Sequence, residues 1–158
     1  YIDYFYPRRA FHSQTLGFDI YKNASDFGLL EEHDGNGIIF DHQWQKDTDL
    51  IALSTDDFIG NQPFFVNYIT VSQHFQYNQS HEVASIHIQQ VRDYIATTNE
   101  DIPDVMQYYL ATAIELDLAV KQLMDTLDQQ GILEETVIMI YGDHYAYGID
   151  ESTIWEYD

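Results

Sequence analysis

The 158-residue chain carries 27 Asp and Glu against 6 Lys and Arg, a formal net charge of −21, and 45% of its residues are hydrophobic. That hydrophobic content supports a folded core, while the negative field argues against nucleic acid and against direct docking on anionic lipid headgroups. No cysteine is present, which excludes disulfide scaffolds, cysteine-type zinc sites and thiol nucleophiles.

No run approaches the ~18 apolar residues of a membrane-spanning helix. The chain opens Tyr1-Ile2-Asp3 with neither a Met nor a signal peptide and stops at Glu156-Tyr157-Asp158, so it reads as a segment of a longer protein. Residues 1–30 are aromatic-rich and irregular, and Leu16-Gly17-Phe18-Asp19 reads as a helix end closed by Gly17. Residues 31–48 form a turn-rich loop, after which Asp47 or Thr48 caps a short helix running to about Phe58.

Pro63-Phe64-Phe65-Val66-Asn67-Tyr68-Ile69-Thr70-Val71 is nearly continuous in apolar, β-branched and aromatic residues, and predicts a strand over 64–71 buried on both faces. Residues 75–100 fit a helix better than a strand. From Pro103, Val105, Met106, Tyr109, Leu110, Ala113 and Ile114 begin a recurrence at three and four that continues to Leu127. With Pro103 at the start and Gly131 just past the end, this predicts a helix over 104–130. Thr136-Val137-Ile138-Met139-Ile140-Tyr141 predicts a second buried strand, over 137–141. Strand, long crossover and strand make a β-α-β unit, right-handed if the strands are parallel.

Open α/β sheets hold ligands at the carboxyl ends of their strands. Both predicted strands end in residues with ligand chemistry: His74 after the first, Gly142-Asp143-His144 after the second. A carboxylate beside an imidazole offers a hard oxygen and a borderline nitrogen, suited to Mn²⁺, Zn²⁺ or Mg²⁺. The plainer alternative is a strand-end turn with a surface Asp and a packed His. His74 is either a phosphate or proton partner or a polar strand terminator. Arg8 and Arg9 either clamp a phosphate with a planar donor fork or form an ordinary surface pair. His12, His33, His42, His81 and His87 read as solvated surface residues, and no glycine-rich phosphate loop or G-x-S-x-G elbow is present.

Val137 through Gly142-Asp143-His144-Tyr145 resembles the strand and metal motif of the lipoteichoic acid synthases, bacterial phosphoglycerol transferases of the sulfatase and alkaline-phosphatase superfamily. Pro63 to His74 resembles that family's strand ending in a substrate-site His, and Thr15-Leu16-Gly17-Phe18-Asp19 its S-L-G-Y-D stretch. The resemblance implies that residues 1–158 are a central-to-late part of a catalytic domain of α/β class, an alkaline-phosphatase-like three-layer sandwich with a mainly parallel sheet. It implies Asp143 and His144 as metal ligands, usually for Mn²⁺, with Mg²⁺ or Zn²⁺ as alternatives. It implies His74 as the phosphoglycerol contact, in a catalytic and substrate-binding role, and Arg9, with Arg8 as fallback, as the headgroup arginine. The resemblance further implies that the nucleophilic Thr and the membrane helices lie before residue 1.

The activity so implied moves glycerophosphate from phosphatidylglycerol to a growing polyglycerolphosphate chain, outside the cell membrane of a Gram-positive-type bacterium. A sulfatase or phosphodiesterase of the same superfamily, or a non-catalytic glycan- or partner-binding remnant, are the rival expectations. Two departures stand out: Pro7 where many members have Trp, and Ala146 where a Gly usually follows.

Overall fold

The computed structural model describes residues 9–24, 26–27, 46–98, 100–150 and 152–153. The chain divides into two compact units, Tyr1–Gln43 and Trp44–Asp158.

In the first unit, helix α1 spans Arg9–Leu16. Gly17, at φ 79°, adopts the left-handed conformation that an L side chain resists. The Phe18 amide then donates to the Ser13 carbonyl at 2.9 Å and the Gly17 amide to Gln14 at 3.3 Å. These two bonds satisfy carbonyls the helix would otherwise leave open, so Gly17 closes α1 as its sequence position predicts.

The second unit is built on three helices: α2 (Asp47–Ser54), continued by a 3₁₀ turn at Thr55–Asp57, α3 (Glu82–Thr98) and α4 (Asp104–Gln129). On α3, Ala84, Ile88, Val91 and Ile95 recur at helical spacing and meet Tyr108, Ala111 and Ile114 of α4. Ala84 and Ala111 are fully buried, and their small side chains let the two helices approach closely. The pairing is antiparallel: His87 meets Glu115, whereas Arg92, further along α3, meets Gln107 and Asp104. α2 packs on α4, where Gln122 donates to the Thr48 carbonyl. α4 ends as α1 does, with Gly131 at φ 71° and the Ile132 amide on the Leu127 carbonyl at 3.0 Å.

The expected α/β class and mainly parallel sheet do not hold. Among the described residues the regular structure is helical and no strand is present. Residues 63–71 carry no regular secondary structure, with Phe64 and Tyr68 against Phe58 at ring-centroid distances of 4.9 and 6.5 Å. Phe65 is 77% exposed. Residues 136–141 are similar, with Val137 89% and Met139 78% exposed. The physical reason lies in what an apolar run can specify. Branched and aromatic residues favour an extended backbone, but a strand also needs a neighbour to take its amides and carbonyls. At the end of the first run, the amides of Val71 and Ser72 bond instead to the carboxylate of Asp47.

Candidate functional site

His74 stands in a turn held from beneath by buried side chains. Asp47, the first residue of α2, does not cap its own helix. Its carboxylate accepts the Val71 amide at 2.9 Å and the Ser72 amide at 3.3 Å, while its own amide donates to Ser72 Oγ at 2.9 Å. Burial pushes the Asp47 carboxyl above its ordinary value, by more than the Val71 and Ser72 hydrogen bonds pull it down. The chain then turns, with the His74 amide on the Val71 carbonyl at 3.0 Å.

Two further side chains reach the turn. The Tyr77 hydroxyl donates to the Gln73 carbonyl at 3.0 Å, and burial, with the neighbouring Tyr109, pushes that phenol up to about 12. His81 immediately precedes α3 and is only 1% exposed, so the expectation of a solvated surface residue is corrected. Its Nδ1 accepts the Ala84 amide at 3.3 Å, which caps α3. A nitrogen that accepts carries no proton, so Nε2 holds it and donates to the His74 carbonyl at 3.1 Å. Burial lowers the proton affinity of this ring and favours the neutral form. Only its place just before a helix start could have flagged it in the sequence.

The His74 ring is half-buried, with Nδ1 2.8 Å from the Phe75 carbonyl. That carbonyl can only accept, so Nδ1 carries the proton and Nε2 the lone pair in the neutral ring. His144 repeats the arrangement, with Nδ1 on the Tyr145 carbonyl at 2.7 Å. The Tyr147 ring lies tilted over His144 at 4.5 Å. His144 Nε2 stands 3.6 Å from Asp143 Oδ1. A histidine whose other nitrogen donates to a backbone carbonyl is the form that binds metals, and the adjacent carboxylate supplies oxygen. This donor pair fits part of a divalent-ion shell; among the described residues no group of three ligands is assembled.

The two loops meet. Phe75 lays its ring against Gly148: a Cβ there would fall 2.2 Å from a ring carbon. The segment after His74 thus touches the segment after His144. Arg9 opens α1 in the other compact unit, and Arg8 lies outside the described residues.

A second buried polar cluster escaped the sequence reading, which treated His87 as solvated. Glu115, on α4 and 3% exposed, accepts the Thr48 hydroxyl at 2.6 Å, the Thr48 amide at 3.3 Å and His87 Nε2 at 2.8 Å. Burial pushes Glu115 up, but the Thr48 and His87 hydrogen bonds together outweigh it and hold the carboxyl below its ordinary range. The cluster ties three helices together. The signal in sequence is a Glu on the apolar stripe of α4.

Residues 3–154 match the Sulfatase family model, and the chain belongs to the sulfatase family. It is 29% identical over 138 residues to the lipoteichoic acid synthase of Staphylococcus saprophyticus, covering 87% of this chain and 19% of that protein. It is 30% identical to lipoteichoic acid synthase 1 of Bacillus subtilis, with the same coverages, and 26% identical over 136 residues to lipoteichoic acid synthase 2 of that organism, covering 86% and 18%. The chain therefore spans about a fifth of the length of these curated relatives. No solved structure matches it. Among the described residues no helix is long and apolar enough to cross a membrane.

Proposed function

We propose that this chain is part of a metal-dependent phosphoglycerol transferase that moves glycerophosphate from phosphatidylglycerol to a growing polyglycerolphosphate polymer at the outer face of the cell membrane. The observation that carries the reading is the similarity to lipoteichoic acid synthases over 87% of the chain, combined with the donor pair Asp143 Oδ1 and His144 Nε2. These two residues would hold a divalent ion, Mn²⁺ first and Mg²⁺ or Zn²⁺ as alternatives, which supplies Lewis-acid stabilisation of phosphoryl charge when bound.

The remaining roles belong to the chain's own side chains. His74 offers Nε2 to the phosphoglycerol group, and a backbone tied at the Gln73 and His74 carbonyls limits its wandering. The Arg9 guanidinium donates to the phosphate as a planar fork. The resemblance assigns the attacking hydroxyl to a threonine outside these 158 residues, on a stretch this chain does not carry.

Turnover of a fluorescent phosphatidylglycerol by the full-length protein tests the reading. Asp143→Asn and His144→Ala should abolish turnover and weaken Mn²⁺ binding measured by electron paramagnetic resonance. Arg9→Ala should lower turnover about 10- to 150-fold while leaving Mn²⁺ binding intact, and Arg9→Lys should restore only part. Full turnover in Asp143→Asn would overturn the reading, and hydrolysis of a sulfate ester in place of lipid turnover would favour a sulfatase.

A further inference from the structure

We propose that His81 is a positioning residue: its Nε2–H fixes the His74 carbonyl and thereby the direction of the His74 ring. The inference rests on the reading of His74 as the group that contacts the phosphoglycerol substrate.

His81 has both ring nitrogens engaged with opposite polarity. Nδ1 accepts the Ala84 amide, so Nε2 must donate, and its acceptor is the His74 carbonyl. The adjacent carbonyl, of Gln73, is held by the Tyr77 hydroxyl. Two consecutive peptide units are therefore pinned by donors from the buried side, Tyr77 at 7% and His81 at 1% exposure. The His74 ring is itself tied to the next carbonyl, that of Phe75, so its direction follows the backbone at 74–75. A peptide that tilts there carries the imidazole with it. A cap alone would need only an acceptor, which Asn, Asp or Ser supply. A buried histidine supplies the acceptor and, on the far side of the ring, a donor aimed at the site.

The two bonds can be separated by mutation. An Asn amide reaches about as far as histidine Nδ1, and a Gln amide about as far as Nε2. His81→Asn in the full-length protein should keep the cap and the thermal midpoint but raise the KM for phosphatidylglycerol about tenfold, with kcat nearly unchanged. His81→Gln should lower the thermal midpoint but hold KM within about twofold of wild type. In a His74→Ala background, His81→Asn should add nothing. Tyr77→Phe, which keeps the ring and loses the donor, should raise KM about threefold and tests the tie should His81→Asn fold poorly. A merely structural His81 predicts the reverse order, with KM following the thermal midpoint and His81→Gln the worse variant; that result overturns the proposal. So does a full additional effect of His81→Asn on top of His74→Ala. If His74→Ala leaves KM unchanged, the reading of His74 fails and the positioning role falls with it. If His74→Ala raises KM and neither His81→Asn nor Tyr77→Phe does, only the positioning role fails.

Discussion

Replacing Glu115 by Ala should be among the most destabilising single changes in the helical unit. The carboxylate accepts three donors from two helices: the Thr48 hydroxyl at 2.6 Å, the Thr48 amide at 3.3 Å and His87 Nε2 at 2.8 Å. Truncation leaves the Thr48 groups and the His87 ring without their acceptor in a junction where Glu115 is 3% exposed. Each buried donor so stranded costs about 1–3 kcal/mol, and the desolvation released by removing the carboxylate offsets part of it. A net loss of about 3 kcal/mol follows. Glu115→Gln should cost only about 1 kcal/mol, because its carbonyl still takes the Thr48 hydroxyl and His87 can move its proton to Nδ1 and accept from the new amide. Urea unfolding followed by circular dichroism measures both. The cycle with His87→Ala should show coupling of about 1–3 kcal/mol. The contribution also has a pH signature. The folded carboxyl titrates below its ordinary 4.5, so the stabilisation is present above that value and is lost as pH falls through the folded one. A loss of less than ~0.5 kcal/mol for Glu115→Ala would refute a closed cluster.

His81 predicts a second pH effect of the same sign in a higher window. Its folded pKa is lowered from 6.5, so the unfolded chain binds more protons and stability should fall as pH drops below that value, less so in His81→Asn; denaturation midpoints at pH 7.5 and 5.5 check it. Gly148→Ala should destabilise the 142–149 loop by about 1–3 kcal/mol, since the new Cβ meets the Phe75 ring at 2.2 Å and φ is 84°; Phe75→Ala in the same chain should relieve the clash and leave only the backbone strain, read by limited proteolysis of the loop.

The sequence was legible wherever a local rule decides the outcome. Gly17 and Gly131 stop α1 and α4 because a left-handed residue is needed there and glycine supplies it at little steric cost. The stripe from Val105 to Leu127 predicts α4 almost to the residue. Asp143 and His144 bring an oxygen and a nitrogen to within 3.6 Å of each other because they are neighbours in the chain, and their role as metal ligands is part of the proposal above. Long-range decisions were not legible. Asp47 looks like a helix cap, yet its carboxylate is claimed by amides 24 and 25 residues away. His87 and Glu115 lie 28 residues apart and meet only because α3 and α4 fold back on each other. The runs at 63–71 and 136–141 carry the composition of strands, and composition favours an extended backbone without determining its hydrogen-bond partners.

The Val137-Ile138-Met139-Ile140-Tyr141 run, exposed except at the half-buried Ile138, has a consequence for handling the protein. It combines β-branched and aromatic residues, no charge and no Pro, the pattern that favours edge-to-edge association between copies. Opposing it is the mutual repulsion of chains that each carry a formal charge of −21. That repulsion reaches about 30 Å at 0.01 M salt but only about 8 Å at 0.15 M and about 3 Å at 1 M, while attraction between the apolar runs is not screened at all. Ionic strength should therefore set colloidal behaviour: dilute buffer is expected to keep copies apart, and concentrated salt to bring the 137–141 segments together.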